Sequence, residues 1–309
     1  MKERSSKLPN QMNSPNLNPA SVPVSVLIPV RNEQRNMADC LASVAWASEI
    51  VVVDSASTDD TVRLATQAGA RVVQFSYVPG GPRKKNWALS NLSFANEWIL
   101  ILDADERITP ALAVEVASAV KDPHGHAGFY LNRRFNFLGN WIYHAGYFPS
   151  WNLRLFRKGL GLYETLSYDF HNSGDNEVHE HVILHGTAGR LISPMDHFAY
   201  PTLAEFIEKH RRYAYWEAEM TDTASQLRQD GTTMSRGLLM RRAMKRLARR
   251  MPFPHWLRFA YHYFLKRGFL DGMEGYVFCH LLAEYEFWIW ARCLELQNDR
   301  KRGQLALAR

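Results

Sequence analysis

The first half of the chain alternates short β-branched runs with stretches of helical periodicity. Val24 to Val30 is an almost continuous apolar run, and Met37, Leu41 and Val44 follow it at helical spacing. A second apolar run, Ile50 to Val53, comes next. This order predicts a strand, a crossover helix and a second, parallel strand.

The same alternation continues for about sixty residues. In chain order it predicts a helix from Thr61 to Ala68 closed by Gly69, a strand from Arg71 to Phe75, a helix from Lys84 to Leu92, a strand from Trp98 to Leu102, and a helix that begins at Thr109 with Pro110 in its first turn. We therefore expect an α/β fold with a doubly wound, mostly parallel sheet flanked by helices.

The pattern changes twice more along the chain. After Pro123 aromatic-rich segments with few clean periods predict mixed structure that completes the sheet, and from Leu203 onward the periodicity is helical. Residues 1–21 are rich in Asn, Pro, Ser and Lys, which predicts a disordered tail. We expect an α/β domain over 22–200, which is long enough to form a catalytic domain, and a helical region over 201–309.

Composition restricts the partners and the compartment. The chain has 309 residues, 46% of them hydrophobic, and a net charge of +6, so its surface favours anionic partners such as phosphates, acidic glycans or an anionic membrane face. Cys40, Cys279 and Cys293 show no metal-ligand spacing, which fits a reducing compartment.

Targeting signals and membrane spans are not evident in the sequence. Pro23 and Pro29 interrupt the first apolar run, and nowhere do the roughly 18 uncharged apolar residues of a membrane span occur together. We expect a cytoplasmic protein, soluble or peripheral on the inner face of the membrane.

Acidic residues stand at the ends of two predicted strands. Asp54 directly follows the Ile50 to Val53 run. Asp103 directly follows Leu102, and Asp105 comes two positions later. The carboxyl ends of strands form the ligand crevice of open α/β sheets, so Asp103 and Asp105 are candidates for holding a divalent cation that bridges a diphosphate.

Each of these acids also has a purely structural interpretation. Asp103 and Asp105 can also be interpreted as acids placed before the helix that Thr109 opens. Asp54 can also be interpreted as the start of an Asx-type turn. The position of the acids after apolar strands favours the ligand-facing interpretation, because a carboxylate there is costly to bury unpaired.

Three segments in a fixed order resemble the successive signatures of family 2 glycosyltransferases. They are Ser25 to Glu33, Val53 to Thr61 and Leu102 to Glu106. The resemblance covers about Val24 to Asp196 and implies that 22–200 is a GT-A catalytic domain, in which a nucleotide-binding α/β sheet is joined to an acceptor-binding portion.

The resemblance implies roles for the residues that match the signatures. Pro29, Arg31 and Glu33 would contact the nucleoside together with Asp54, which would take the base. Lys85 would lie near the nucleotide, although it is equally explained as part of a solvated, basic helix start.

The same resemblance implies roles for the acids that follow the strand from Trp98 to Leu102. Asp103 would face the ribose and the metal, and Asp105 the metal and the diphosphate, with Mg²⁺ or Mn²⁺ as the ion. His197 would reach back to the metal, as a histidine does in many GT-A enzymes, or it is simply a hydrogen-bonded residue. His179, His181 and His185 do not predict a zinc site, because no cysteine lies near them.

Inverting sugar transfer needs one carboxylate that takes the proton of the acceptor hydroxyl. Glu180 is the candidate, because Val178-His-Glu180 resembles an element of the bacterial lipopolysaccharide inner-core glucosyltransferases, and Glu177 is the reserve. If this segment is a strand, alternation puts Glu177 and Glu180 on opposite faces. A solvent-facing strand of mixed charge is the alternative.

The C-terminal region combines cations with aromatic residues. Residues 236–250 carry seven Arg and Lys side chains and no acid, which on a helix predicts either contact with anionic lipid or a solvated face. Phe269-Leu-Asp-Gly272 resembles the C-terminal helices of the lipopolysaccharide-core enzymes and narrows the resemblance to that subgroup.

These observations predict an inverting transferase that moves a hexose, glucose in our interpretation, from a uridine diphosphate (UDP) sugar to a lipopolysaccharide core or another membrane-linked polysaccharide. A sugar-nucleotide pyrophosphorylase shares the sheet but opens with a glycine-rich phosphate loop, which Pro29 to Glu33 lacks. A non-catalytic basic protein that binds lipid or nucleic acid would leave Asp103 and Asp105 unexplained, so we expect no nucleic-acid partner.

Overall fold

A computed structural model of the chain describes residues 22–78, 81–164, 181–226 and 253–307. They group into two compact units. The first unit holds the described residues up to Arg133 together with Ser150–His197, and the second holds Arg134–Pro149 together with those from Phe198 onward. The segment Arg134–Pro149 therefore groups with the C-terminal residues, although the chain pattern places it inside the α/β region. The predicted tail, 1–21, lies outside the described residues.

Alternating strands and helices build the first unit. Its elements are β1 (Val22–Val30), α1 (Gln34–Ser43), β2 (Ala47–Asp54), α2 (Thr61–Gln67), β3 (Arg71–Gln74), α3 (Lys84–Asn91), β4 (Trp98–Ile101), β5 (Glu106–Ile108), α4 (Pro110–Lys121), β6 (Gly128–Phe137, whose last residues belong to the second unit), β8 (Ser150–Arg157), β9 (Gly161–Tyr163), β10 (Val182–Leu184) and β11 (Ala188–His197), with β7 in the second unit.

The strands of the main sheet lie in the order β3-β2-β1-β4-β8-β6-β11-β5. The pairs β3-β2, β2-β1 and β1-β4 are parallel, and the pairs β4-β8, β8-β6 and β11-β5 are antiparallel. The predicted α/β class, with a mostly parallel sheet flanked by helices, is confirmed, and antiparallel strands extend the sheet beyond β4.

Both faces of the central strand β1 are buried. On β1, Val24, Val26 and Ile28 pack into one core cluster with α1 and α4, and Leu27 points into the other with β2 and β4. Because a strand covered on both sides exposes neither face to water, its sequence is mostly apolar. This explains why Val24 to Val30 is apolar except for Ser25, which is buried and bonds Glu49.

Local signals set two helix ends as predicted. The Thr109 hydroxyl accepts a hydrogen bond from the Leu112 N–H at 3.2 Å, and Pro110 occupies the first turn of α4. Gly69, with φ of +81°, follows the end of α2 and turns the chain into β3.

Helices dominate the second unit. Its described elements are β7 (Asn140–Ile142), α5 (Leu203–Gln226), α6 (Pro254–Ala260), a π-helical turn (Tyr261–Leu265), a 3₁₀ turn (Gly268–Asp271) and α7 (Gly272–Leu307). Phe135, Phe137, Phe206 and Phe278 form the centre of its core, with ring centroids 5.2 to 6.2 Å apart. None of the described helices has a stretch of 18 residues apolar enough to cross a bilayer.

Asp271 joins the 3₁₀ turn to the loop after β7. Its side chain is 3% exposed and accepts hydrogen bonds from the Tyr143 N–H at 3.2 Å, the His144 N–H at 2.8 Å and the His144 Nδ1 at 2.7 Å. The Phe269-Leu-Asp-Gly272 element seen in the sequence therefore has a structural role, since its acid holds two backbone donors and an imidazole.

We predict that Asp271→Ala lowers the apparent free energy of unfolding in urea by about 2 to 3 kcal/mol, because charge-assisted hydrogen bonds are lost and donors are left unpaired. Glu274→Ala is the control, since Glu274 accepts a hydrogen bond from the exposed side chain of Asn140. Equal losses in the two variants would contradict this role of Asp271.

Candidate active site

The carboxyl edge of the parallel strands collects the acids singled out in the sequence. Asp54 is the last residue of β2 and pairs in register with Val30 of β1. Asp103 follows β4, whose residue Ile101 pairs with Leu27 of β1. Because β1 lies between β2 and β4, the two acids flank one edge of the sheet about two strand spacings, or roughly 10 Å, apart.

Two loops at this edge bind each other through side chains. The loop after β1 donates from the Asn32 N–H to Ser57 Oγ at 2.8 Å and from the Glu33 N–H to Thr61 Oγ1 at 2.8 Å. In return, the Thr58 N–H donates to Asn32 Oδ1 at 2.8 Å. Backbone donors that strand and helix ends leave unsatisfied are thereby paired, so the Pro29 to Glu33 segment has a fixed conformation.

Asp54 is fully buried at the base of these loops. Its carboxylate accepts from the Ser57 N–H at 3.0 Å and from the Ser57 hydroxyl. The Asx-type turn considered from the sequence is therefore present. A direct contact between Asp54 and a nucleoside base requires the Ser57 side chain to move aside, since Asp54 has no exposed surface.

The flanking residues of the first loop differ in exposure. Pro29 is half-buried, Arg31 is exposed, and Glu33 is half-buried with its carboxylate accepting from Asn36 Nδ2 at 2.7 Å. Arg31 is thus the cation of this segment that solvent and a ligand reach.

The lysines at the start of α3 point inward. Lys84 is 4% exposed and donates from Nζ to the Val30 carbonyl at 2.8 Å. Lys85 Nζ lies 2.9 Å from Asp103 Oδ1 and over the ring of Tyr163 at 5.1 Å. A solvated helix start is therefore wrong for both lysines. The neighbouring Asn86 side chain bonds the backbone N–H and C=O of Tyr163, both at 2.8 Å, and so fixes α3 to β9.

Asp103 lies between two cations. Its Oδ1 faces Lys85, and its Oδ2 accepts from Arg154 of β8 at 2.6 Å. Burial works against ionisation, but Arg154 and Lys85 outweigh it and hold the pKa of Asp103 well below its usual value. Burial likewise opposes the charge of Arg154, whose pKa is nevertheless raised further by Asp103 and Glu106.

Glu106 completes this ion cluster. Its side chain has no exposed surface and binds Arg154 at 3.0 Å, with Arg133 at 3.5 Å. Its other oxygen accepts from the Asp103 N–H at 3.0 Å, which closes the turn between β4 and β5. The cluster therefore sets the backbone that carries Asp103 and Asp105.

Asp105 points to a different neighbour. Its Oδ2 lies 3.4 Å from His197 Nε2, and both side chains are largely buried. The antiparallel pairing of β11 with β5 puts His197 opposite Glu106, which brings the imidazole next to the turn. The structure thus places Asp103 and Asp105 in separate environments, one beside two cations and the other beside a histidine.

This arrangement can be tested for its fit to a divalent cation. Among the described residues, no cluster of three His, Cys, Asp or Glu side chains has the spacing of a metal site. Asp105 and His197 offer one carboxylate and one imidazole, which suits an ion that takes its other ligands from a diphosphate and water. Asp103 has both oxygens beside cations, so Asp105 and His197 fit the ion better than Asp103 does.

Glu180, the predicted general base, lies outside the described residues, and so do Glu177 and His179. The basic stretch 236–250 is also outside them. The structure therefore neither supports nor opposes these predictions.

Comparison with known families identifies the family to which the chain belongs. Residues 25–177 match the family described as glycosyl transferase family 2, and the match includes all three signature segments. The chain belongs to glycosyl transferase family 2. This membership favours a transferase over the pyrophosphorylase and the non-catalytic basic protein considered from the sequence.

Relatives of this transferase are bacterial. It is 29% identical over 208 residues to the lipopolysaccharide core biosynthesis glycosyltransferase LpsC of Rhizobium meliloti (strain 1021), covering 64% of this chain and 71% of the relative. It is 26% identical over 293 residues to an uncharacterized glycosyltransferase of Rickettsia felis, covering 93% of each chain.

Similar solved structures align over smaller parts. One is glucosyl-3-phosphoglycerate synthase from Mycobacterium tuberculosis in complex with Mn²⁺, UDP and glucosyl-3-phosphoglycerate, at 25% identity and a TM-score of 0.31, covering 38% of the transferase and 45% of that chain. Another is residues 1–349 of TarS from S. aureus, at 26% identity and a TM-score of 0.32, covering 36% of each chain. The alignments span less than half of either solved chain.

Arg154 and Glu106 are site residues that the sequence analysis missed. The available signal was a single cation inside the apolar run Leu153-Arg-Leu-Phe156, because a charge within a buried strand needs a buried partner. The partners themselves lie 48 and 51 positions away in the chain, so spacing could not identify them.

We predict that Arg154→Leu lowers the apparent free energy of unfolding of the transferase by about 3 to 5 kcal/mol, because it leaves Glu106 buried without its closest cation. Arg133→Leu removes a longer contact from a more exposed side chain and should cost less than about 1 kcal/mol. Urea titration followed by circular dichroism measures both, and a loss for Arg154→Leu no larger than for Arg133→Leu contradicts the assignment.

Proposed function

We propose that this family 2 transferase is an inverting enzyme that moves a hexose, glucose in our interpretation, from a UDP-sugar to a lipopolysaccharide core or another membrane-linked polysaccharide. The observation that carries the proposal is the turn after β4, where Asp105 lies beside His197 while Asp103 is held by Lys85 and Arg154. The LpsC relative, named for lipopolysaccharide core biosynthesis, supports the class of acceptor.

The donor would lie along the carboxyl edge of β2, β1 and β4. The nucleoside would be bound by Pro29, Arg31, Glu33 and Asp54, with Arg31 contributing an exposed cation. The loops that form this part bind each other, so most of the nucleoside end would be formed before the donor arrives, and Ser57 would move aside to open Asp54 to the base. The diphosphate would lie towards the turn after β4.

Metal binding at the diphosphate end is assigned to Asp105 and His197. A bound Mg²⁺ or Mn²⁺ would neutralise the charge that develops on the departing diphosphate. Asp103 would lie beside the ribose, and its carboxylate contacts Lys85, whose ammonium group lies next to the same turn. Positive charge near the leaving group stabilises the transition state more than the ground state, which is the requirement for faster transfer.

Transfer itself needs only one proton acceptor. The acceptor oxygen would attack the anomeric carbon from the face opposite the UDP, its proton would pass to Glu180, and the bond from that carbon to the diphosphate oxygen would break with its electron pair leaving on UDP. One C–O bond forms as another breaks, so the configuration of the sugar inverts.

We predict that Asp105→Ala lowers transfer from UDP-glucose at least about a hundredfold and weakens the binding of Mn²⁺, because the metal loses its carboxylate ligand. Radiolabelled transfer and calorimetric titration with Mn²⁺ alone measure the two effects. Asp60→Ala is the control, since Asp60 is an exposed acid of the same edge that pairs with Arg63. Full activity of the wild-type enzyme without divalent metal would contradict the mechanism.

Glu180→Gln should lower the transfer rate by about two to four orders of magnitude while the affinity for UDP-glucose stays unchanged, because the amide cannot accept the proton. Glu177→Gln serves as the matched variant and should retain activity. If Glu180→Gln transfers normally and Glu177→Gln does not, the base is Glu177.

A further inference from the structure

The second unit carries a contiguous exposed apolar surface around the turns that precede α7. Its members are large apolar side chains with substantial exposure, and we call them the aromatic ridge: Phe264, Leu265, Phe269, Leu270, Met273 and Tyr276. Leu265 and Met273 are each 71% exposed and Phe264 is 62% exposed. Clustered exposure of this kind marks an interaction site more often than scattered exposed residues do.

Ring contacts show that the ridge is one surface. The half-buried ring of Tyr263 lies 5.1 Å from Phe264, 6.1 Å from Phe269 and 5.8 Å from Tyr276, measured between centroids. Leu265 and Leu270 adjoin Phe264 and Phe269 in the chain. Residues from the π-helical turn, the 3₁₀ turn and the first turn of α7 therefore share a common base.

Tight packing beneath the ridge holds its backbone in place. A Cβ atom at Gly275 would lie 2.2 Å from the Gly268 carbonyl oxygen, and one at Gly268 would lie 2.5 Å from Cys279 Sγ. The Lys266 carbonyl also accepts from the Ala145 N–H at 2.9 Å. The apolar side chains thus stand outward from a close-packed turn rather than from a loose loop.

The exposed charged side chains next to the ridge are mostly cations. Lys266 and Arg267 are exposed, and between residues 253 and 276 the acids are Asp271 and Glu274. Asp271 is buried against His144, and Glu274 accepts from Asn140. A surface of aromatic and aliphatic side chains bordered by Lys and Arg fits the interface of an anionic bilayer.

We propose that the aromatic ridge inserts into the headgroup region of an anionic phospholipid membrane, with Lys266 and Arg267 contacting lipid phosphates. A second copy of the chain fits the ridge less well, because a two-fold interface would bring Lys266 and Arg267 of both copies together. The proposal extends the function proposed above, for which a membrane-linked acceptor was inferred, by naming the surface that contacts the membrane.

Vesicle binding by the full chain tests this proposal. Sedimentation with vesicles of equal parts phosphatidylcholine and phosphatidylglycerol should capture the wild type, and phosphatidylcholine alone should capture much less. The double variant Leu265→Ser/Leu270→Ser should bind at least about tenfold more weakly, since it loses two apolar side chains that would be buried in the bilayer. Lys266→Glu/Arg267→Glu should lose the preference for anionic vesicles.

The matched control is Ile183→Ser/Ile192→Ser in the first unit, where the two side chains are 55% and 67% exposed, close to the 71% and 55% of Leu265 and Leu270. This control should bind vesicles like the wild type. Equal binding by both double variants overturns the proposal. So does a wild type that ignores vesicles, or one that light scattering shows as a dimer that Leu265→Ser/Leu270→Ser dissociates.

The test needs neither donor nor metal, so its failure is distinguishable from failure of the proposed activity. Hydrolysis of UDP-glucose in vesicle-free solution reports on the active site of each variant, and the ridge variants should match the wild type there.

Discussion

The carboxylates after β4 depend on one buried arginine. Arg154 lies on β8, the first antiparallel neighbour of the parallel strands, and it binds Asp103 and Glu106 together. A fully buried Glu106 carboxylate without a cation would destabilise the turn, which the same side chain closes by accepting a hydrogen bond from the Asp103 N–H. The conformation of the turn that bears Asp105 therefore depends on this ion cluster.

Two acids separated by a single residue consequently have different chemistry. Asp103 shares its oxygens between Lys85 and Arg154, which fixes its position and leaves a cation next to the ligand edge. Asp105 lies beside His197, an imidazole brought there by the pairing of β11 with β5. In the proposed mechanism, where a departing diphosphate is stabilised, this division would supply positive charge from the neighbours of Asp103 and a metal ligand from Asp105.

The sequence predicted the parallel strands to within a few residues, because buried strands are almost continuously apolar, Thr109 marks the start of α4 and Gly69 follows the end of α2. Strand ends and family signatures also singled out Asp54, Asp103, Asp105, Lys85 and His197 as candidates. It could not show that Asp54 is fully buried or that Lys85 faces Asp103, because the pairing partners come from segments distant in the chain.

Long-range contacts also explain the features of the second unit that the sequence pattern did not predict. The segment Arg134–Pro149 carries an ordinary mixed pattern, yet Phe137 contacts Phe206 of α5, 69 positions away, and Tyr147 contacts Phe278 of α7, 131 positions away. Asp271 resembled part of a family element, and only the fold shows that it holds the backbone at His144. Glu180 stays a prediction from resemblance.

Calorimetric titration of UDP-glucose into the wild-type enzyme, with Mn²⁺ present and after its removal by a chelator, tests the central claim most directly. If the diphosphate is held through a metal on Asp105 and His197, removal of Mn²⁺ should weaken donor affinity at least about tenfold, since a charge-neutralising ligand is lost. Equal affinity in the two titrations would contradict the account.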